Sequence, residues 1–179
     1  MLGEPLGDGI HSLLTVHRLR AEASHLGHYP WANVGARYVD RVPSYQETHS
    51  QGVEWGVVAT DEGVRYAKQR VQFGEPIIRF QAIQDKIARS KMKLDASRLL
   101  IYKSATKKDL GLSAPIESSI AKLYCTEAAN EIAYDMGQIH GGYCYIHEYP
   151  IERAYRDARL GTIGGGTSEI MRSIIAANT

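Results

Sequence analysis

The chain has only two cysteines, Cys125 and Cys144, and no run of about 18 consecutive apolar residues. The missing run excludes a transmembrane helix. The cysteines share no metal-like spacing and read as free thiols of a reducing compartment. The opening Met1-Leu2-Gly3-Glu4-Pro5 lacks the basic start and apolar core of a secretory leader, so the expected location is a bacterial cytoplasm or a mitochondrial matrix. Charge of one sign is also lacking: 21 Lys and Arg face 20 Asp and Glu, a net charge of +1. That balance argues against nucleic acid or an anionic membrane as the main partner. No phosphate-binding Walker pattern, dinucleotide-binding strand–turn–helix, nucleophile elbow or internal repeat occurs. His25 and His28, like His140 and His147, have no third ligand nearby in sequence, so no metal site is expected.

What is present is helical periodicity. With 44% hydrophobic and 23% charged residues, the 179-residue chain has the composition of one ordinary globular core. Phe80, Ile83, Ile87, Leu94, Ile101 and Ala105 recur at helical steps, ending at Lys107-Lys108-Asp109-Leu110-Gly111. Ser113 and Pro115 restart the chain into a second long helix, striped by Ile116, Ile120, Leu123, Ala128, Ile132, Met136 and Ile139. Shorter helices are predicted over 151–159 and 168–177, separated by Gly164-Gly165-Gly166. Upstream, Val57, Val58, Val64 and Ala67 give a helical stripe that closes at Arg70. Residues 1–16 read as a domain-opening helix, and 17–52 show no sustained period and read as an irregular insertion. The expected fold is all-α: an up-and-down four-helix bundle over 53–179 with short additional C-terminal helices.

Three sequence elements carry chemistry. Gln138-Ile139-His140-Gly141-Gly142 places a glutamine amide beside two glycines that let a ligand approach the backbone, followed by Tyr143, Glu148, Arg153 and Asp157 at set intervals. Arg70-Val71-Gln72-Phe73-Gly74 leads into Gln81-Ala82-Ile83, and a guanidinium suits a pyrophosphate because it offers rigid paired donors. Gly164-Gly165-Gly166-Thr167-Ser168-Glu169 is a glycine loop that opens a helix, with backbone N–H groups able to face an anion.

Together these elements resemble the C-terminal domain of the flavin-dependent acyl-CoA dehydrogenases, with Cys144 standing where the family has a further glycine. The resemblance is closest to the long-chain and isovaleryl members. It implies FAD as cofactor. Arg70, Gln72, Phe73 and Gln81 would reach across a dimer interface to a neighbour's FAD, Gln138, Gly141 and Gly142 would line its adenine end, and Thr167 and Glu169 would add contacts. It further implies an acyl-CoA substrate, a homo- or hetero-oligomer and electron-transfer flavoprotein as a partner. Many members carry the catalytic glutamate two residues before the loop threonine, where this chain has Gly165. Members without it supply the base from a helix near the start of the domain, where Arg20 stands and Glu22 is the nearest acid. Glu22 is therefore the candidate base, although two residues turn a helix by about 200°. The alternative reading is an inactive helical subunit that assembles with a flavin-bearing partner.

Overall fold

The computed structural model describes residues 45–178, which form five α-helices, a two-residue hairpin and two short 3₁₀ turns. The expected domain-opening helix over 1–16 and the candidate base Glu22 lie outside the described residues. Helix α1 spans Tyr45–Gln69. It ends in an antiparallel hairpin, β1 Val71–Gln72 and β2 Glu75–Pro76, with Val71 opposite Pro76 and Gln72 opposite Glu75. The two turn residues, Phe73 and Gly74, both have positive φ (53° and 86°), the sign that a tight two-residue hairpin requires.

Helix α2 follows over Gln81–Asp109 and stops where the pattern foretells. Gly111 takes φ 70°, its N–H donates to the Lys108 carbonyl and the Leu112 N–H donates to Lys107. This paired closure satisfies carbonyls that the helix end leaves bare. Helix α3 (Pro115–His140) and helix α4 (Pro150–Gly161) both start on proline, whose missing N–H costs nothing in a first turn. Helix α5 covers Ser168–Ala177 behind the N-cap Thr167.

Residue pairs along α3 define the topology. Gly52 of α1 lies against Cys125 and Tyr66 stacks on His140, so α1 runs parallel to α3. Lys86 pairs with Asp135 and Lys107 with Glu117, each at 2.6 Å, so α2 runs antiparallel. Tyr149 meets His140 while Gly161 meets Thr126, so α4 also returns along α3. The result is an up-and-down bundle in which the 12-residue α4 is the fourth member and α5 packs on α3. Helix α3 is the central one. Ala121, Cys125, Ala129, Ile132, Ala133 and Met136 are all buried, on more than one side of the helix.

Two features differ from the periodicity. The stretch expected to be irregular to residue 52 is helical from Tyr45. Its sequence is polar and bears no apolar stripe, and the helix is held instead by close packing. A Cβ at Gly52 would stand 3.0 Å from the Cys125 carbonyl oxygen, a tight approach that glycine eases and that a count of apolar residues does not register. The buried face of α1 is also rotated. Trp55, Ala59 and Ala67 form it, while Val57, Val58 and Val64 are half-buried at its flanks. On α2 the stripe continues through serines. Ser90, Ser97 and Ser104 are buried seven residues apart, with the Ser104 hydroxyl 2.8 Å from that of Ser118 and the Ser97 carbonyl accepting from the Cys125 thiol at 3.7 Å. Small residues here let two helices approach, and the Ser104 hydroxyl keeps a hydrogen-bond partner across the contact.

Candidate functional site

The parallel run of α1 and α3 brings their C-terminal ends together. There Arg70, Tyr66, Ile139, His140, Gly141, Gly142 and Tyr143 line a cavity of about 500 Å³, with Gln72, Ile77 and Ile146 completing its wall. Tyr66 stacks on His140 with ring centroids 4.4 Å apart, Tyr143 lies 4.9 Å from Tyr149, and the Arg70 guanidinium sits 5.9 Å above the Tyr143 ring. Arg70 has no carboxylate within ion-pair reach among the described residues. Its N–H fork is therefore open to an anion. Gly141 takes φ 59°, and a Cβ at either Gly141 or Gly142 would meet nothing within 4 Å. The chain's own packing thus leaves open space over this backbone. Open arginine, bare backbone and aromatic walls suit a ligand that combines a phosphate group with a flat ring, as FAD does.

Phe73 stands at the tip of the hairpin beside this cavity, 95% exposed, in a T-shaped pair with Phe80 at 6.1 Å between ring centroids. A bulky residue at φ 53° costs on the order of 1–3 kcal/mol, and here the strained residue is a phenyl ring in water. Neither cost is recovered among the described residues. Gln72 spends its amide on the neighbouring Val71 carbonyl at 2.7 Å. Gln81 and Gln138 are exposed and contribute no atom to the cavity wall.

His140 is 2% exposed, and its Nδ1 lies 2.8 Å from the Met136 carbonyl. A carbonyl only accepts, so Nδ1 carries the proton and Nε2 is a bare acceptor, without a partner among the described residues. Burial holds the ring's pKa below the ordinary histidine value of 6.5, with the Met136 carbonyl opposing. The unfolded chain therefore binds a proton that the folded chain refuses. Stability contributed at this site is complete above pH 6.5 and falls as pH drops below it. Urea midpoints should decline through this range in the native chain and stay flatter in a His140→Phe variant; identical slopes would remove His140 as the cause.

The third sequence element lies elsewhere. In the 164–167 loop Gly165 and Gly166 take φ 63° and 101°. The Ser168 N–H donates to the Thr162 carbonyl at 3.1 Å, and the Thr167 hydroxyl accepts from the Ile170 N–H at 3.4 Å. Glu169 is exposed, and its own backbone N–H and the Thr167 hydroxyl hold its carboxyl below the usual range. Lys122 of α3 reaches this loop and donates to the Gly166 carbonyl. His140 and Lys122 are 18 residues apart on one helix, about 27 Å. The candidate residues are therefore split between the two ends of α3.

Tyr66 and Lys122 are functional candidates that no sequence motif contains. Tyr66 has a usable signal, since it stands four residues before Arg70 and so shares its helix face. Lys122 has none, because a lysine beside a carboxylate-bearing face reads as solvated. Cys144, the departure from the family pattern, packs into a notch over Gly137, where a Cβ would come within 2.7 Å of its sulfur. Of the two thiols, burial pushes Cys125 up to about 12. Both cysteines are free. No helix among the described residues is long and apolar enough to cross a membrane.

Residues 57–179 match the family described as acyl-CoA dehydrogenase, C-terminal domain. A 3-(aryl)acrylate reductase of Clostridium sporogenes is 52% identical over 120 residues, 67% of this chain and 32% of that protein. A caffeyl-CoA reductase–Etf complex subunit of Acetobacterium woodii is 47% identical over 129 residues, 72% of this chain and 34% of its own length. The structure of butyryl-CoA dehydrogenase from Megasphaera elsdenii superposes with a TM-score of 0.74 at 36% identity, over 75% of this chain and 35% of that one. The chain thus spans about a third of the relatives it matches. Fold, residue pattern and similarity agree, and the chain belongs to the acyl-CoA dehydrogenase family, within which it corresponds to the C-terminal helical domain.

Proposed function

We propose that this chain supplies cofactor contacts and an oligomer face to an FAD-dependent enzyme acting on the α,β-bond of an acyl-CoA thioester. The observation that carries this reading is that the open guanidinium of Arg70 and the bare Gly141–Gly142 backbone line one aromatic-walled cavity. Arg70 would hold the pyrophosphate, Gly141 and Gly142 would admit the adenine end, and the exposed Phe73 would pack against the part of the cofactor nearer the flavin. When bound, FAD would supply the acceptor for the β-hydrogen as hydride, with the α-proton going to a base. Gly165 offers no group to remove that proton, so the base falls to a residue such as Glu22 or to another part of the assembled enzyme.

The separation of about 27 Å between the two residue groups, given by the helix rise, favours a cross-subunit arrangement. On this reading Arg70, Gln72, Phe73, Gln81 and Gln138 serve the FAD of a neighbouring subunit, and Thr167 and Glu169 serve a second cofactor. Met92 and Leu99, seven residues apart on α2 and 71% and 69% exposed, provide apolar surface for such an assembly. Electron-transfer flavoprotein is the proposed redox partner, and the cytoplasm or mitochondrial matrix the proposed compartment.

The test is a visible absorption spectrum of the purified chain after FAD is added and the excess removed. Stoichiometric flavin absorbance is expected if copies of this chain assemble the contacts. A colourless protein that also fails to take up FAD when mixed with a flavin-bearing relative would defeat the proposal.

A further inference from the structure

Lys122 is the buried charge that the proposed cofactor contacts do not use. Its side chain is 0% exposed, inside the N-terminal third of α3. Its one hydrogen-bond partner among the described residues is the Gly166 carbonyl, 44 positions further along the chain. No carboxylate lies within ion-pair distance of it among those residues; Glu127 and Glu169 act on it only through space. A fully buried lysine without a carboxylate is rare, because desolvating an ammonium is unfavourable unless strong hydrogen bonds compensate. Methionine would fill the same volume without that cost. Nor does the charge serve α5, since an ammonium one residue from a helix N-terminus opposes the helix dipole. What the ammonium does provide is a fixed point for the loop.

That loop has reason to need one. Gly164, Gly165 and Gly166 have no side chains to restrain them, and two of them occupy positive φ. The Gly164 N–H is tied back to the Leu160 carbonyl at 2.8 Å and the Ser168 N–H to Thr162 at 3.1 Å. Between those ties Lys122 holds the Gly166 carbonyl, and the Met171 N–H donates to the Thr167 carbonyl at 3.0 Å as the first bond of α5. We propose that Lys122 is a positioning residue, its ammonium latching the Gly166 carbonyl so that the 164–167 loop presents Thr167 and Glu169 in one geometry. The role toward FAD rests on the function proposed above; the latch itself does not.

The experiment compares the full chain with its Lys122→Met variant by amide hydrogen exchange and by FAD titration. With the latch removed, the Gly164 and Ser168 amides should exchange at least tenfold faster while the α3 amides around Ile132 keep their rates. FAD affinity should fall about tenfold. Unchanged loop exchange overturns the latch, and so does a rise spread equally through α3, which marks a merely structural lysine. Loop loosening without loss of FAD affinity overturns the positioning role. A native chain that binds no FAD, alone or mixed with a flavin-bearing relative, defeats the proposed function and leaves the exchange result to decide the latch. Should the variant fail to fold, the native Lys122 ammonium is examined by nitrogen-15 NMR. A slowly exchanging signal correlated with the Gly166 carbonyl is expected, and a rapidly exchanging one overturns the proposal.

Discussion

Arg70→Ala is expected to lower FAD affinity about 10- to 100-fold in a flavin-fluorescence titration, while leaving the unfolding midpoint nearly unchanged. The magnitude follows from one charge-assisted, paired contact to a phosphate group, worth about 1.5–3 kcal/mol, at about 1.4 kcal/mol per decade. The small effect on folding follows from exposure. Among the described residues the guanidinium lies over the Tyr143 ring without an ion pair, and such a contact contributes about 0.5–1 kcal/mol at an exposed site. Arg70→Lys should recover part of the loss, since it restores the charge without the planar fork. Equal affinity in the native chain and Arg70→Ala would remove the arginine from the cofactor site.

The largest stability effect is expected at Trp55. Its ring is 4% exposed and lies where three helices meet, against Gly161 of α4, which Thr126 of α3 also approaches. Truncation to alanine opens a cavity that neighbouring backbone cannot fill, at a cost of about 3–5 kcal/mol. Domains of this kind have about 5–15 kcal/mol in total, so the variant should be near its folding threshold. Urea denaturation followed by far-ultraviolet circular dichroism measures the difference without relying on the tryptophan itself. A loss under about 1 kcal/mol would show that the N-terminal half of α1 stands outside the cooperative core.

The two predictions draw on different amounts of sequence information. Arg70 is legible in the chain as a candidate cofactor residue, because Arg-x-x-Phe-Gly resembles the turn of the family. Phe73 is legible for the same reason, yet only its positive φ and full exposure show that this chain does not use the ring for itself. Trp55 carries no such signal as a core residue. The valines beside it offer a stripe of equal hydrophobicity, and the face actually buried is set by where Gly161 and Gly52 allow neighbouring helices to approach.

Local sequence suffices for the helical class, the helix ends at Gly111, Pro115 and Pro150, the final helix over Ser168–Ala177 and the family. These follow from local chemistry: proline lacks an N–H, glycine permits positive φ, and apolar residues recur at the helix period. Packing is needed to establish that α1 begins at Tyr45, that serines at 90, 97 and 104 complete the α2 interface, and that Lys122 is a buried donor. Packing also places the candidate residues at opposite ends of α3 and joins Tyr66 and His140 to Arg70. The reason is that glycine, serine and lysine take their roles from the distance to the next helix, and that distance belongs to the assembled bundle rather than to any window of sequence.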